Sequence, residues 1–114
     1  RSSDLEQYFS IFTAIAGSTP AYAFLFIDSI ARAAVKNGMS KELALEIATQ
    51  AVLGSAQTLA NSKENPWTLI DQVSSPGGTT VAGIVELENN AFISTVIKGI
   101  EATIFRDQEL AKQD

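Results

Sequence analysis

The residues best suited to chemistry lie in one stretch, Ser74-Ser75-Pro76-Gly77-Gly78-Thr79-Thr80, which sets four hydroxyls and two glycines where one helical pattern stops and the next begins. Glycine lets a backbone approach a ligand closely, and the free N–H groups of a helix start, with the helix dipole, attract an anion. A carboxylate can dock at such a turn without any arginine. That matters in a chain of net charge −5, because its overall field repels anions and only local, directed donors can hold one. The competing reading is that Ser and Thr cap the next helix while the glycines permit a tight turn. Other chemistry is scarce. The chain has no cysteine and no histidine, which removes disulfides, thiol nucleophiles, imidazole bases and the usual zinc ligands. Hydroxyls, carboxylates, amines, backbone or a cofactor remain. Glu86, Glu88 and Glu101 could pair for acid–base work, but such carboxylates commonly line helical surfaces of acidic proteins. Asp28 interrupts an apolar helix and could be a buried partner of Arg32, though a solvent-facing pair is expected, and Trp67 beside Pro66 could be a ligand platform, though packing at a helix start is the more ordinary role.

The elements that must position this stretch are all helical. Apolar residues recur at helical spacing, and the β-branched runs typical of strands are missing. Leu5 to Ala16 makes a first helix that Gly17 closes, after which Ser18 or Thr19 is an N-cap with Pro20 in the first turn. A second helix runs to about Asn37, Gly38 takes the left-handed position after its end, and Ser40 with Glu42 starts a third through about Asn61. Asn65-Pro66 starts a fourth to about Val73. Thr79 to Glu88 is the fifth, ended by Asn89-Asn90, and the last carries Ile93, Val96, Ile97, Ile100 and Ile104 on one stripe before turning charged from Arg106 to Asp114.

At 114 residues the chain fits one domain, too small for a cofactor domain and a substrate domain together. It is 46% hydrophobic and 18% charged with a mean hydropathy of +0.12, so some apolar face is expected to meet a partner. The second helix sharpens this, since Ala21-Tyr22-Ala23-Phe24-Leu25-Phe26-Ile27 is apolar around its circumference. Burying such a helix on all sides is hard within one chain this short, which points to an intertwined homodimer with this helix at its centre, against the plainer reading of a monomeric helical core. Eight Lys and Arg scattered among thirteen carboxylates argue against nucleic acid. The unbroken apolar run Ala21–Ile27 falls far short of the roughly 20 residues of a membrane helix, so a soluble domain is expected. No signal peptide is visible, and a start at Arg1 suggests a piece of something longer.

The stretch Asp71-Gln72-Val73-Ser74-Ser75-Pro76-Gly77-Gly78-Thr79-Thr80-Val81-Ala82-Gly83-Ile84, followed by Leu87-Glu88, resembles the signature of pyrroline-5-carboxylate reductases. Thr13-Ala14-Ile15-Ala16-Gly17-Ser18-Thr19-Pro20-Ala21-Tyr22 resembles that family's Gly-Ser-Gly-Pro-Ala-Tyr segment, departing from it at Thr19, where glycine is usual. Gly38, Pro66 and the stretch from Arg106 to Leu110 fall in the family's order and spacing, so the resemblance covers nearly the whole chain. It implies an all-α, intertwined helical dimerisation domain, a six-helix bundle per chain, spanning residues 1–114. It also implies a cytoplasmic enzyme that transfers a hydride from NADPH or NADH to the C=N carbon of Δ1-pyrroline-5-carboxylate, giving proline, and that assembles as a homodimer and, beyond it, a pentamer of dimers. By the same resemblance, Ser75, Gly77, Gly78, Thr79 and Thr80 line the substrate site, and Thr80 hydrogen-bonds the ring nitrogen and helps deliver its proton. Thr79 falls at a position that varies in the family and is expected to pack or cap. Ser18 and Pro20 sit near the nicotinamide end of the cofactor, with Ser18 equally readable as a helix cap. The nucleotide itself would belong to an N-terminal Rossmann domain absent from this chain, in which no Gly-x-Gly-x-x-Gly occurs. This chain alone is therefore expected to be inactive. The alternative from another class is a non-catalytic helical dimerisation or scaffold module.

Overall fold

A computed structural model describes residues 3–113, and all regular structure among them is helical. In order come α1 (Ser3–Phe12), a π-helical segment (Thr13–Ser18), α2 (Thr19–Lys36), α3 (Lys41–Ala60), α4 (Pro66–Gln72), α5 (Thr79–Asn89) and α6 (Phe92–Ala111). These divide into two compact units, one holding the described residues up to Ala23 and from Glu86 onward, the other Phe24–Val85.

In the first unit, α6 packs against α1 and the π-helical segment. Here the expected break is corrected: the chain does not stop at Gly17, and Ser18 and Thr19 do not cap a new helix. Phe12 and Thr19, which flank the π segment, both have right-handed helical backbones (φ −58° and −52°), and Thr19 Oγ1 donates back to the Ile15 carbonyl. Pro20 explains the wide turn. It has no N–H, and in a continuing α-helix its ring would collide with the carbonyl four residues back, at Ala16. A π turn, with i→i+5 bonds, makes room for it. The helix therefore runs unbroken over Asp4–Lys36, 33 residues with an 18-residue window of mean hydropathy 1.5. By length and composition that is enough to cross a bilayer, as the core helix of a soluble protein also can be: continuity through Pro20 joins two apolar stretches that the sequence reading set apart.

In the second unit, α2 and α3 meet through small residues. Ala31, Ala44 and Ala48 are buried, with Ile27, Ala34 and Leu45 packed against them. Gly38, at φ +106°, takes the expected left-handed position, and the Gly38 and Met39 N–H groups bond the Val35 and Ala34 carbonyls. Ser40 caps α3, its Oγ accepting from the Leu43 N–H at 3.3 Å, and Asn65 caps α4, its Oδ1 accepting from the Trp67 N–H at 2.9 Å with Pro66 in the first turn.

Among the described residues no large side chain is fully buried, and the buried apolar residues are alanines. Phe24 is 69% and Leu25 67% exposed, and Trp67, expected to pack, is 51% exposed. Within one chain α2 is thus not enclosed. Its bulky residues need a surface from outside the chain, as the reading of this helix as the centre of a dimer requires.

Candidate functional site

The second unit carries the Ser-Pro-Gly-Gly-Thr-Thr stretch between α4 and α5. Pro76 and Gly77 occupy the central positions of a tight turn closed by the Gly78 N–H on the Ser75 carbonyl at 3.0 Å. Proline followed by a residue at φ +71° is the pattern of a type II turn, which explains the glycine at 77. Gly78 is required for a different reason: a Cβ there would lie 2.7 Å from Ser75 Oγ and 3.1 Å from Ser75 O.

The two adjacent serines divide their work. Ser74 Oγ donates to the Ile70 carbonyl at 2.6 Å and finishes α4, whereas the hydroxyls of Ser75, Thr79 and Thr80 take no partner among the described residues. Among the described residues no side chain hydrogen-bonds the first-turn N–H groups of α5. The capping reading of this stretch is therefore not realised, and Thr79 in particular is exposed and makes no capping bond. The first-turn N–H groups of α5 point beyond the helix with no intrahelical carbonyl to meet. Donors without acceptors, behind a turn shaped by two glycines, are an arrangement that can accept an anion.

Ser18, assigned to the cofactor side, lies in the first unit, half-buried in an open cleft of about 480 Å³ lined by Thr13, Tyr22, Thr103, Arg106 and Asp107 among others. Tyr22 Oη and Thr103 Oγ1 are hydrogen-bonded, and Thr103 Oγ1 also bonds the Gly99 carbonyl at 3.0 Å. Ser10, nine-tenths buried, donates to Asp107 Oδ2 at 2.8 Å. Pro20 does not line this cleft; it is exposed in the first turn of α2. Arg106 forms a 3.5 Å ion pair with Glu109. Sequence reasoning missed Tyr22, Thr103, Ser10 and Asp107, because their pairings join residues 81 and 97 positions apart.

The Asp28–Arg32 pair exists at 3.3 Å and is solvent-facing as expected, but Asp28 has a shorter bond, 2.6 Å, from Lys41 at the start of α3. Lys41 and then Arg32 hold the Asp28 carboxyl below the usual aspartate range. Among the described residues no cluster of carboxylates could hold a metal ion.

An all-α fold whose buried core is alanine, whose large apolar side chains face outward, and whose turn before α5 leaves donors unbonded among the described residues defines a helical subunit-interface domain. The sequence matches the family model described as pyrroline-5-carboxylate reductase dimerisation over residues 6–110. The chain belongs to that family. It is 42% identical over 93% of its length to a pyrroline-5-carboxylate reductase of Glycine max and 48% identical over 92% to one of Aquifex aeolicus. Among solved structures, it is similar to the Streptococcus pyogenes reductase (TM-score 0.86, 51% identity, 89% of this chain and 39% of that one). It is also similar to a Plasmodium falciparum pyrroline carboxylate reductase solved with NADP bound (TM-score 0.85, 40% identity, 89% of this chain and 38% of that one). The chain spans about two fifths of the length of the curated relatives it matches.

Proposed function

We propose that this chain is the subunit-interface and substrate-binding part of a cytoplasmic pyrroline-5-carboxylate reductase, acting with a Rossmann domain that lies elsewhere in the protein. The observation that carries this reading is the start of α5: N–H donors without a capping side chain, and hydroxyls of Ser75, Thr79 and Thr80 without a partner, among the described residues, behind a turn closed on Ser75. The substrate carboxylate docks on these first-turn N–H groups, where the helix dipole supplies the positive field that the chain's net charge does not. Ser75 adds a hydroxyl donor, and the absence of side chains at Gly77 and Gly78 lets the ring approach the backbone. Thr80 donates a hydrogen bond to the ring nitrogen, the atom that gains a proton as the imine becomes an amine.

Bound NADPH or NADH supplies the hydride. Of the residues assigned to it, Ser18 fits: a half-buried hydroxyl without a partner among the described residues, facing an open cleft, suits the polar nicotinamide end. Pro20 offers only an apolar ring on the exposed side of α2. Homodimers, and pentamers of them, enclose the exposed apolar side chains of α2.

In the full-length reductase, Thr80→Ala is expected to lower turnover at least about tenfold while leaving the dimer intact, and Thr80→Ser to restore most of it. Steady-state kinetics alongside sedimentation checks this. Turnover unchanged in Thr80→Ala would reduce the residue to a surface position and leave the non-catalytic interface module as the better reading.

A further inference from the structure

Resting on the reading of Ser18 as a nicotinamide-side group, we propose that Tyr22 and Thr103 are positioning residues for Ser18, holding the π-helical turn in the one register that presents this hydroxyl to the cleft. Three observations converge. First, the π segment ends at Ser18, so the direction of that side chain depends on the extra residue which the segment accommodates. One residue more or less rotates everything after it by about 100° around the helix axis. Second, the segment is fastened on both sides to a single face of α6. Ser10, three residues before it, bonds Asp107, and Tyr22, four residues after it, bonds Thr103. Residues 103 and 107 are one helical turn apart and share a face. Third, the bond has a direction. Thr103 has one hydroxyl proton, and the Gly99 carbonyl at 3.0 Å takes it, so Tyr22 donates and Thr103 accepts.

In an uninterrupted α register, Tyr22 would be turned by about 100° and could not reach Thr103 while Ser10 remained on Asp107. The two bonds together therefore admit only the π register. Ala14, fully buried within the segment, pins its inner side. The tyrosine hydroxyl acts on the reaction through Ser18 and touches no substrate.

The test is steady-state kinetics on the full-length reductase with Tyr22→Phe, Thr103→Val, the double variant and Ser18→Ala. Tyr22→Phe and Thr103→Val should each raise the KM for the nicotinamide nucleotide about threefold to tenfold, with the KM for pyrroline-5-carboxylate and the dimer unchanged. Because both remove the same bond, the double variant should be no worse than either single one. A nucleotide KM within about twofold of wild type in both single variants would overturn the inference, as would an equal rise in both KM values, which would mark a general structural defect. Ser18→Ala separates the levels. If it raises the nucleotide KM while Tyr22→Phe does nothing, the positioning role alone fails; if Ser18→Ala itself does nothing, the underlying assignment of Ser18 fails.

Discussion

The two units treat their hydroxyls in opposite ways. In the first, Ser10 and Tyr22 direct theirs into α6, where Asp107 and Thr103 receive them. In the second, Ser75, Thr79 and Thr80 take no partner among the described residues, at a helix start that none of their side chains caps. The contrast extends to the backbone. Each unit has a left-handed residue shortly before a helix, at φ +71° ahead of α5 and φ 61° ahead of α6. The former is Gly77, relaxed and followed by Gly78; the latter is Ala91, which holds a conformation that an L side chain resists. One turn is shaped to leave space, and the other tolerates some strain at an L residue. A polar group left open beside a deliberately empty backbone is the stronger sign of a binding site than hydroxyl content alone.

The contrast can be broken most sharply at Gly78. In the full-length reductase, Gly78→Ala brings a methyl to 2.7 Å from Ser75 Oγ and 3.1 Å from its carbonyl oxygen, displacing the hydroxyl from the turn. The KM for pyrroline-5-carboxylate should rise at least about tenfold, the loss of one hydrogen bond to a charged group, with the nucleotide KM little altered. Kinetics with each substrate varied in turn checks this. The reverse substitution in the other turn, Ala91→Gly, should leave both KM values alone and stabilise the fold by about 0.5–1 kcal/mol, seen as a higher midpoint in denaturant. The gain is limited because glycine also loosens the unfolded chain.

The smallest effect concerns Asp28, whose pairing with Lys41 and Arg32 is structural and exposed. Its carboxyl is held below the ordinary aspartate range, so the native state favours the charged form. That contribution is present above the ordinary aspartate pKa and is lost as pH falls through the lowered one. Asp28→Asn should therefore lie slightly below wild type in melting temperature at about pH 6, and the gap should close on acidification to about pH 2. A gap that widened in acid would reverse the assignment.

Much of this was legible in the sequence where a local rule decides the structure. Gly38, Ser40 and the Asn65-Pro66 pair marked helix ends because left-handed backbone, side-chain caps and a first-turn proline act within a few residues. The Ser75–Thr80 turn was legible for the same reason. Gly17-Ser18-Thr19-Pro20 failed because those residues spell a helix stop and a new start with equal force. The competition between a break and a π turn is settled by α6, through Ser10–Asp107 and Tyr22–Thr103, contacts too distant in the chain for spacing to reveal. Lys41 was missed as the closer partner of Asp28 because it approaches across the α2–α3 connection, outside any helical spacing. The outward-facing bulk of α2 was readable as a need for burial, since no 114-residue helical chain can easily surround a helix apolar on every side.

The most direct measurement is a crystal structure of the full-length reductase with L-proline bound. The product's carboxylate is predicted to lie within about 3 Å of the N–H groups that begin α5, with its ring nitrogen toward Thr80 Oγ1. A carboxylate seated on a side-chain cation such as Arg106, with the turn at Ser75–Thr80 empty, would contradict it.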